Sequence, residues 1–229
     1  MMIARFVAAI IVGYLLGSIP FGVLLTRRFA KVDVTKYGSG KIGATNVLRT
    51  AGRRVAIMVV ALDIAKGMLA VIFAGLIVGK GPLVVSGIGF GSLSAEALAA
   101  LAAVAGHNWS VFLKFRGGRG VATFFGGLAA LCLPAALVGG EIVIIGAGLT
   151  QYVSLGSIAG TIGSYAVLVP LYIMNRFPVE YLFYALAGAV IIVFMHRDNI
   201  SRLMTGKERK LGEKAERRTS SSGRGRGAG

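Results

Sequence analysis

The sequence predicts an all-α integral membrane protein, a polytopic bundle of seven transmembrane helices with its N-terminus outside and its C-terminus in the cytoplasm. Three observations predict it. Hydrophobic residues fill 55% of the 229 positions and charged residues only 15%, against about 25% charged and 45–50% apolar in a soluble domain. Mean hydropathy is +0.77. The basic residues are confined, with 21 of the 25 in three segments. The net charge of +16 taken alone resembles that of a nucleic-acid binder. The hydropathy excludes that class, because so little polar surface cannot cover a water-soluble body. One cysteine, Cys132, rules out an intramolecular disulfide. Two histidines, His107 and His196, are too few for a His-built metal site. No metal or cofactor is expected.

A crossing helix needs about 20 apolar residues for a hydrocarbon core of roughly 30 Å. Phe6–Leu25 meets that length. Arg5 before an apolar run imitates a signal peptide. The run is long, holds Pro20 and ends in Arg27-Arg28 with no small-residue cleavage site, so it is read as a retained span. Val55–Val78 is a second span, interrupted by Asp63 and Lys66. Pro82–Leu113 is too long for one span and too short for two. Val121–Val138 is a span. Ile142–Ile173 is again overlong and is broken by Gln151, Ser154, Gly156 and Ser157. Tyr181–Met195 is a short final span.

Hydropathy alone leaves six to eight spans, and the positive-inside rule fixes the parity. Arg27–Arg54, Lys114–Arg119 and His196–Gly229 carry most of the charge. Placing all three in the cytoplasm requires an even number of spans between each pair. Val55–Leu113 then holds two, with Lys80–Ser94 outside. Val121–Met195 holds four, so Ile142–Ile173 splits near Tyr152–Ser157. Residues 1–212 read as a single transmembrane domain. Residues 213–229 read as a basic Gly/Ser/Arg-rich cytoplasmic tail, expected to be disordered over Ser220–Gly229. Such a tail serves topology, contact with anionic membrane lipid, or both.

The cytoplasmic loops carry unusual chemistry. Gly38–Arg49 alternates glycine with hydroxyl, amide and cationic groups. Glycines aim backbone N–H groups inward as an anion-binding nest, Ser39, Thr45 and Asn46 add donors, and Lys41 and Arg49 add charge. Ile42 after Gly40-Lys41 excludes a Walker A loop. A glycine turn with an Asn/Thr helix cap reads the same residues without a ligand. Phe115–Thr123 places Arg116, Arg119 and three glycines just before an apolar helix, whose N-terminus favours phosphate. Taken alone, positive-inside charge on a flexible turn is the plainer reading of this segment. In His196–Leu203, a helix puts His196, Asn199 and Leu203 on one face, and a solvated helix end with snorkelling Arg197 and Arg202 is the plainer alternative. Asp63 and Lys66, three apart at membrane depth, read as a structural ion pair or a support for the site. His107 reads as a buried, hydrogen-bonded histidine. Three donor sets on one membrane face suit a ligand with a phosphate in water and an apolar tail in the bilayer.

Gly38–Arg49 (GSGKIGATNVLR), Gly106–Thr123 (GHNWSVFLKFRGGRGVAT) and His196–Leu203 (HRDNISRL) together resemble the three signature motifs of the bacterial acyl-phosphate:glycerol-3-phosphate acyltransferases, the PlsY type. Gly17–Gly22 and Leu62–Gly67 fit the same pattern, so the likeness runs in order from Gly17 to Gly212. The resemblance implies an enzyme of the bacterial cytoplasmic membrane with its active site on the cytoplasmic side. It would move a fatty acyl group from acyl phosphate to the sn-1 hydroxyl of glycerol 3-phosphate, giving lysophosphatidic acid and phosphate for phospholipid biosynthesis. Ser39, Thr45, Arg49, His196, Asn199 and one hydroxyl in Ser154–Ser157 fall on the family's site positions. The chain departs from the family at Lys41-Ile42, where Asn-Pro is usual, and at Arg119, where lysine is usual.

On that resemblance the expected catalytic set is Ser39, Arg49, His196 and Asn199. The expected substrate-binding set is Gly38, Gly40, Gly43, Thr45, Asn46, Gly117, Gly118, Arg119, Ser154 and Ser157. Acyl phosphate is a mixed anhydride with a good leaving group, so the protein must neutralise two phosphates and align hydroxyl with carbonyl. Arg49, Arg119, Ser39 and Asn199 would hold the phosphate of glycerol 3-phosphate. The Gly38–Asn46 amides and a Ser154–Ser157 hydroxyl would cradle the acyl phosphate. His196 would orient the attacking hydroxyl or relay its proton, and the substrate's own phosphate is the other candidate base. No Ser-His-Asp set is evident, so an acyl-enzyme is not favoured. Glycerol 3-phosphate, acyl phosphate and membrane lipids are the expected partners; nucleic acid is not. A monomer is compatible with the sequence. The rival from another class is a transporter or channel for small phosphorylated anions, with the basic loops as its vestibule.

Overall fold

The computed structural model describes residues 1–85 and 88–218; the stretch expected to be disordered, Ser220–Gly229, lies outside the described residues. Helix α1 (Met2–Ser18) stops at Ile19, which takes φ −58°, ψ 118° before Pro20. Proline disfavours the helical region for the residue before it and brings no N–H of its own. The chain resumes as α2 (Phe21–Leu25) and a wide turn, Thr26–Ala30, closed by Lys31 at φ +56°.

The loop expected over Arg27–Arg54 contains a helix, α3 (Ala44–Ala51). Gly52, at φ +86°, turns the chain directly into α4 (Arg53–Val78). The connection after α4 is not plain loop either: β1 (Leu83–Val85) pairs antiparallel with β2 (Ile88–Phe90). The all-α expectation therefore holds for the bundle but not for this hairpin, whose β-branched residues favour strand.

Helix α5 (Ser92–Asn108) precedes the second cytoplasmic-type loop. The expected span Val121–Val138 is broken at Cys132 into α6 (Val121–Leu131) and α7 (Leu133–Thr150). Pro134 is the reason: it can neither donate to the carbonyl four residues back nor avoid clashing with it. Gln151 at φ +63° ends α7, and α8 (Val153–Ile173) follows, so the overlong run splits beside the expected Tyr152–Ser157. Helices α9 (Val179–Met195) and α10 (Arg197–Met204) meet at His196 with a bend of 58°.

Among the described residues, four helical runs are long and apolar enough to cross a membrane unaided: Met2–Ala30, Arg53–Val78, Leu133–Thr150 and Val153–Ile173. The bent α9–α10 pair makes a fifth. Helix α6, with 11 residues, reaches only about 16 Å, roughly half the hydrocarbon. Large apolar side chains such as Leu76, Ile144, Leu149, Ile162 and Val190 lie exposed on the helix perimeter, as lipid-facing residues do.

Small residues set the packing. An ideal Cβ on Gly17 of α1 would stand 2.0 Å from the Ala103 carbonyl oxygen of α5, and one on Gly13 would stand 2.4 Å from that of Ala99. Two small residues spaced four apart on each helix let the backbones touch, which substitutes in lipid for a hydrophobic driving force. The main core centres on Phe124, Leu128, Tyr184 and Ile192. Phe124 and Tyr184 stack at 5.3 Å between ring centroids, and the buried Tyr184 hydroxyl donates to the Phe124 carbonyl at 2.8 Å. A second cluster, Val34, Ile42, Val47 and Val59, seats the first loop on α4.

Candidate active site

The first loop is built around Asn46. Its buried amide donates to the carbonyls of Lys41 (2.9 Å), Tyr37 (3.1 Å) and Val34 (3.2 Å), and its Oδ1 accepts from Ser39 N at 3.3 Å. Asn46 was expected to donate to substrate. Its hydrogens are committed, so it shapes the loop instead. Gly38 and Gly40 lie at φ +54° and +71°, where a side chain would be strained. Ser39 Oγ accepts from Lys41 N at 3.4 Å, leaving its hydroxyl hydrogen uncommitted. The loop ends in α3, whose first amides have no intrahelical acceptor. Arg49 follows one turn on.

The Arg49 Nη2 donates to the Arg209 and Lys210 carbonyls at 3.0 and 2.9 Å. Its Nε is buried with no partner among the described residues, and so is that of Arg119. Burial, then the other arginines nearby, lowers the pKa of both groups, to about 10 for Arg119. Each stays charged at neutral pH and gains from an incoming anion. Lys41 is lowered for the same reasons, burial first and then Arg119.

His196 caps α9. Its Nδ1 lies 2.8 Å from the Ile192 carbonyl; a carbonyl only accepts, so the proton sits on Nδ1 and Nε2 keeps a free lone pair. Burial, reinforced by Arg119, holds its pKa down to about 4. The imidazole is therefore neutral at pH 7.

Glu208 was missed by sequence reasoning. Its carboxylate accepts from Asn199 Nδ2 (2.5 Å), Ser154 Oγ (2.8 Å) and Arg202 Nε (2.8 Å). Burial pushes this carboxyl up, but those three donors outweigh it and hold the pKa below the usual range. The available signal was scarcity: nine acids stand against 25 bases, and one lies twelve residues after His196. Ser154 thus spends its hydrogen on Glu208, and Ser157 spends its own on the Val153 carbonyl at 2.8 Å. Neither serine offers the free hydroxyl hydrogen expected of it.

After α10 the chain returns over the first loop as a strap. Leu211 N donates to Gln151 O at 2.7 Å, Ala215 N to Arg49 O at 3.1 Å, and Arg218 N to Lys36 O at 2.9 Å. Gly38 N donates to Glu216 O at 2.9 Å.

These parts enclose one cavity of about 540 Å³, within the usual range for a ligand site. Its polar lining collects Gly38, Ser39, Gly43, Thr45, Asn46, Arg49, Arg119, Ser154, Ser157, His196 and Asn199. Its apolar lining comes from Val60 and Ile64 of α4, Val121 and Phe125 of α6, and Val143 and Ile144 of α7. Three expected residues are not on the wall. Gly40 faces Arg218, while Gly117 and Gly118 are pressed onto the Asn108 and His107 backbone and the His107 ring. They make room for the loop rather than touching a ligand. Asp63 and His107 reach the cavity floor. Among the described residues no three His, Cys, Asp or Glu side chains gather as a metal site.

Residues 7–206 match the family described as glycerol-3-phosphate acyltransferase. A glycerol-3-phosphate acyltransferase of Dehalococcoides mccartyi is 59% identical over 215 residues, covering 94% of this chain and all of the relative. The enzyme of the same name from Shouchella clausii is 40% identical, covering 93% and 99%. The crystal structure of PlsY, an integral membrane glycerol 3-phosphate acyltransferase, in its glycerol 3-phosphate form is 34% identical and superposes with a TM-score of 0.76 over 90% of this chain and 96% of that one. Its lysophosphatidic acid form gives 0.73 at 33% identity. The transporter alternative gives way to this match. An integral membrane bundle, three motifs converging on one cavity, and full-length relatives together make this chain a member of the PlsY family of glycerol-3-phosphate acyltransferases.

Proposed function

We propose that the chain transfers a fatty acyl group from acyl phosphate to the sn-1 hydroxyl of glycerol 3-phosphate, at the cytoplasmic side of a bacterial inner membrane. The observation that carries this reading is the mixed lining of the cavity. Arg49 and Arg119 bring to it buried Nε groups with no partner among the described residues, and α4, α6 and α7 add apolar side chains. A donor with a phosphate head and an acyl tail suits both kinds of lining. Seven spans, with the N-terminus outside and the 1–212 domain closed by its basic C-terminal segment, put all three basic segments on the cytoplasmic face.

Arg49, Arg119, Ser39 and Asn199 hold the phosphate of glycerol 3-phosphate. The acyl phosphate lies with its head at the first-loop amides. The acceptor hydroxyl attacks the acyl carbonyl, the C–O ester bond forms, the C–O bond to phosphate breaks, and phosphate leaves. Neutral His196 takes the hydroxyl proton on Nε2 or orients it toward the departing phosphate. The arginines supply the charge neutralisation, so turnover is expected to survive a chelator. Purified protein in nanodiscs, given acyl phosphate and glycerol 3-phosphate in EDTA, is expected to release phosphate and form lysophosphatidic acid in equal amounts. Loss of turnover in EDTA, restored by a divalent cation, would sink the metal-free scheme. Faster turnover with acyl-CoA would sink the donor assignment.

A further inference from the structure

Beneath the second glycine loop lie three ionisable side chains that the reaction does not use. Asp63 and Lys66 of α4 are each 2% exposed, and His107 of α5 is 3% exposed. The Lys66 ammonium reaches three partners: Asp63 Oδ1 at 2.9 Å, His107 Nδ1 at 2.9 Å and the Ile19 carbonyl at 3.0 Å. An ammonium has three hydrogens and only donates. Its hydrogen bonds go to His107 and Ile19 while Asp63 is held as an ion pair, so His107 Nδ1 accepts. That puts the imidazole proton on Nε2 and locks the ring plane. Asp63 Oδ1 lies 3.5 Å from the same Nδ1.

The locked ring is a floor. The His107 carbonyl accepts from Gly118 N at 3.0 Å. A Cβ on Gly118 would stand 2.0 Å from His107 Nε2, and one on Gly117 would stand 2.1 Å from the His107 carbonyl oxygen. The loop therefore lies flat on this residue, and the next position is Arg119. Burying an ion pair at membrane depth is costly, and such groups are retained where they fix geometry or serve function. Here they join the α1–α2 break, α4, the end of α5 and the second loop at one point.

We propose that Asp63, Lys66 and His107 form a positioning triad that sets where the Arg119 guanidinium meets the phosphate of glycerol 3-phosphate. The proposal rests on the reading of Arg119 as a phosphate ligand. Asp63 and His107 reach the cavity and Lys66 does not; the proposed role of all three is to position Arg119 through the loop.

The test is a double-mutant cycle read by equilibrium binding of glycerol 3-phosphate to the purified full chain, with steady-state kinetics alongside. His107→Leu removes the floor. The paired change Asp63→Leu with Lys66→Met removes both charges together and leaves no lone buried ion. Each is expected to weaken glycerol 3-phosphate binding at least ten-fold, while the KM for acyl phosphate moves less than two-fold. On an Arg119→Ala background each is expected to cost less than two-fold more. A purely structural role would lower the active fraction without moving the dissociation constant. Unchanged binding in folded variants, equal losses on both backgrounds, or misfolding of every variant would overturn the proposal. If Arg119→Ala alone leaves binding intact, the Arg119 reading fails first. If the parent binds glycerol 3-phosphate but does not turn over acyl phosphate, the donor assignment fails while the cycle still decides the triad.

Discussion

Arg49 and Arg119 carry the binding argument at the residue scale. Charge-assisted hydrogen bonds are worth about 1.5–3 kcal/mol, so Arg49→Ala is expected to lower kcat/KM at least ten-fold. Arg119→Lys keeps the charge but loses the planar fork; it is expected to stay within about five-fold of the parent, with Arg119→Ala at least ten-fold below it. Equal rates for Arg119→Ala and parent would remove Arg119 from the site. His196 has a pH signature. Its folded pKa of about 4 lies below the ordinary 6.5. Between those values the unfolded chain binds a proton that the folded chain does not, so stability rises with pH across that window. The thermal midpoint is expected to fall as pH drops from 6.5 toward 4, and to fall less in His196→Gln. Parallel curves would deny the buried neutral ring.

At the scale of elements, the α1–α5 contact and the C-terminal strap make separate predictions. Gly17→Val would drive a branched side chain into the Ala103 carbonyl, and overpacking of this kind costs about 1–3 kcal/mol. A lowered thermal midpoint in detergent checks it. Removing residues 213–229 deletes the partners of Gly38 N, Lys36 O and Arg49 O. Amide exchange is then expected to quicken at Gly38, with little change in α7 or α8; no change at Gly38 would show the loop stands without the strap. The elements themselves were unevenly legible. Hydropathy located the membrane helices because an apolar run of spanning length has few other uses. It missed the break at Cys132, since Pro134 sits inside an unbroken apolar run. It missed the β1–β2 pair, which rests on three residues a side. It took α3 for loop, because eight residues are too short a window for the helical spacing of Ala44, Val47, Leu48 and Ala51 to stand out beside a glycine-rich stretch.

Across the whole molecule, the ordered motifs located the cavity, and the residue types named most of its polar wall. Which atoms were free for a ligand was not legible. Asn46, Ser154 and Ser157 have donors that the family resemblance assigns to substrate, yet each is consumed by a partner within the fold. Glu208 and the strap were invisible for the same reason, because their contacts reach back more than fifty residues to Ser154 and more than 150 to Arg49. The +16 charge is unevenly placed: much of it lies in the C-terminal segment, and Arg49 and Arg119 turn into the cavity. The central claim is that this cavity, with its cationic and apolar lining, joins a phosphate-headed acyl donor to glycerol 3-phosphate. Phosphate release from acyl phosphate by the purified chain tests it most directly. The account predicts release that requires glycerol 3-phosphate and matches lysophosphatidic acid mole for mole. Release independent of glycerol 3-phosphate, or none from a folded sample that turns over acyl-CoA, would contradict it.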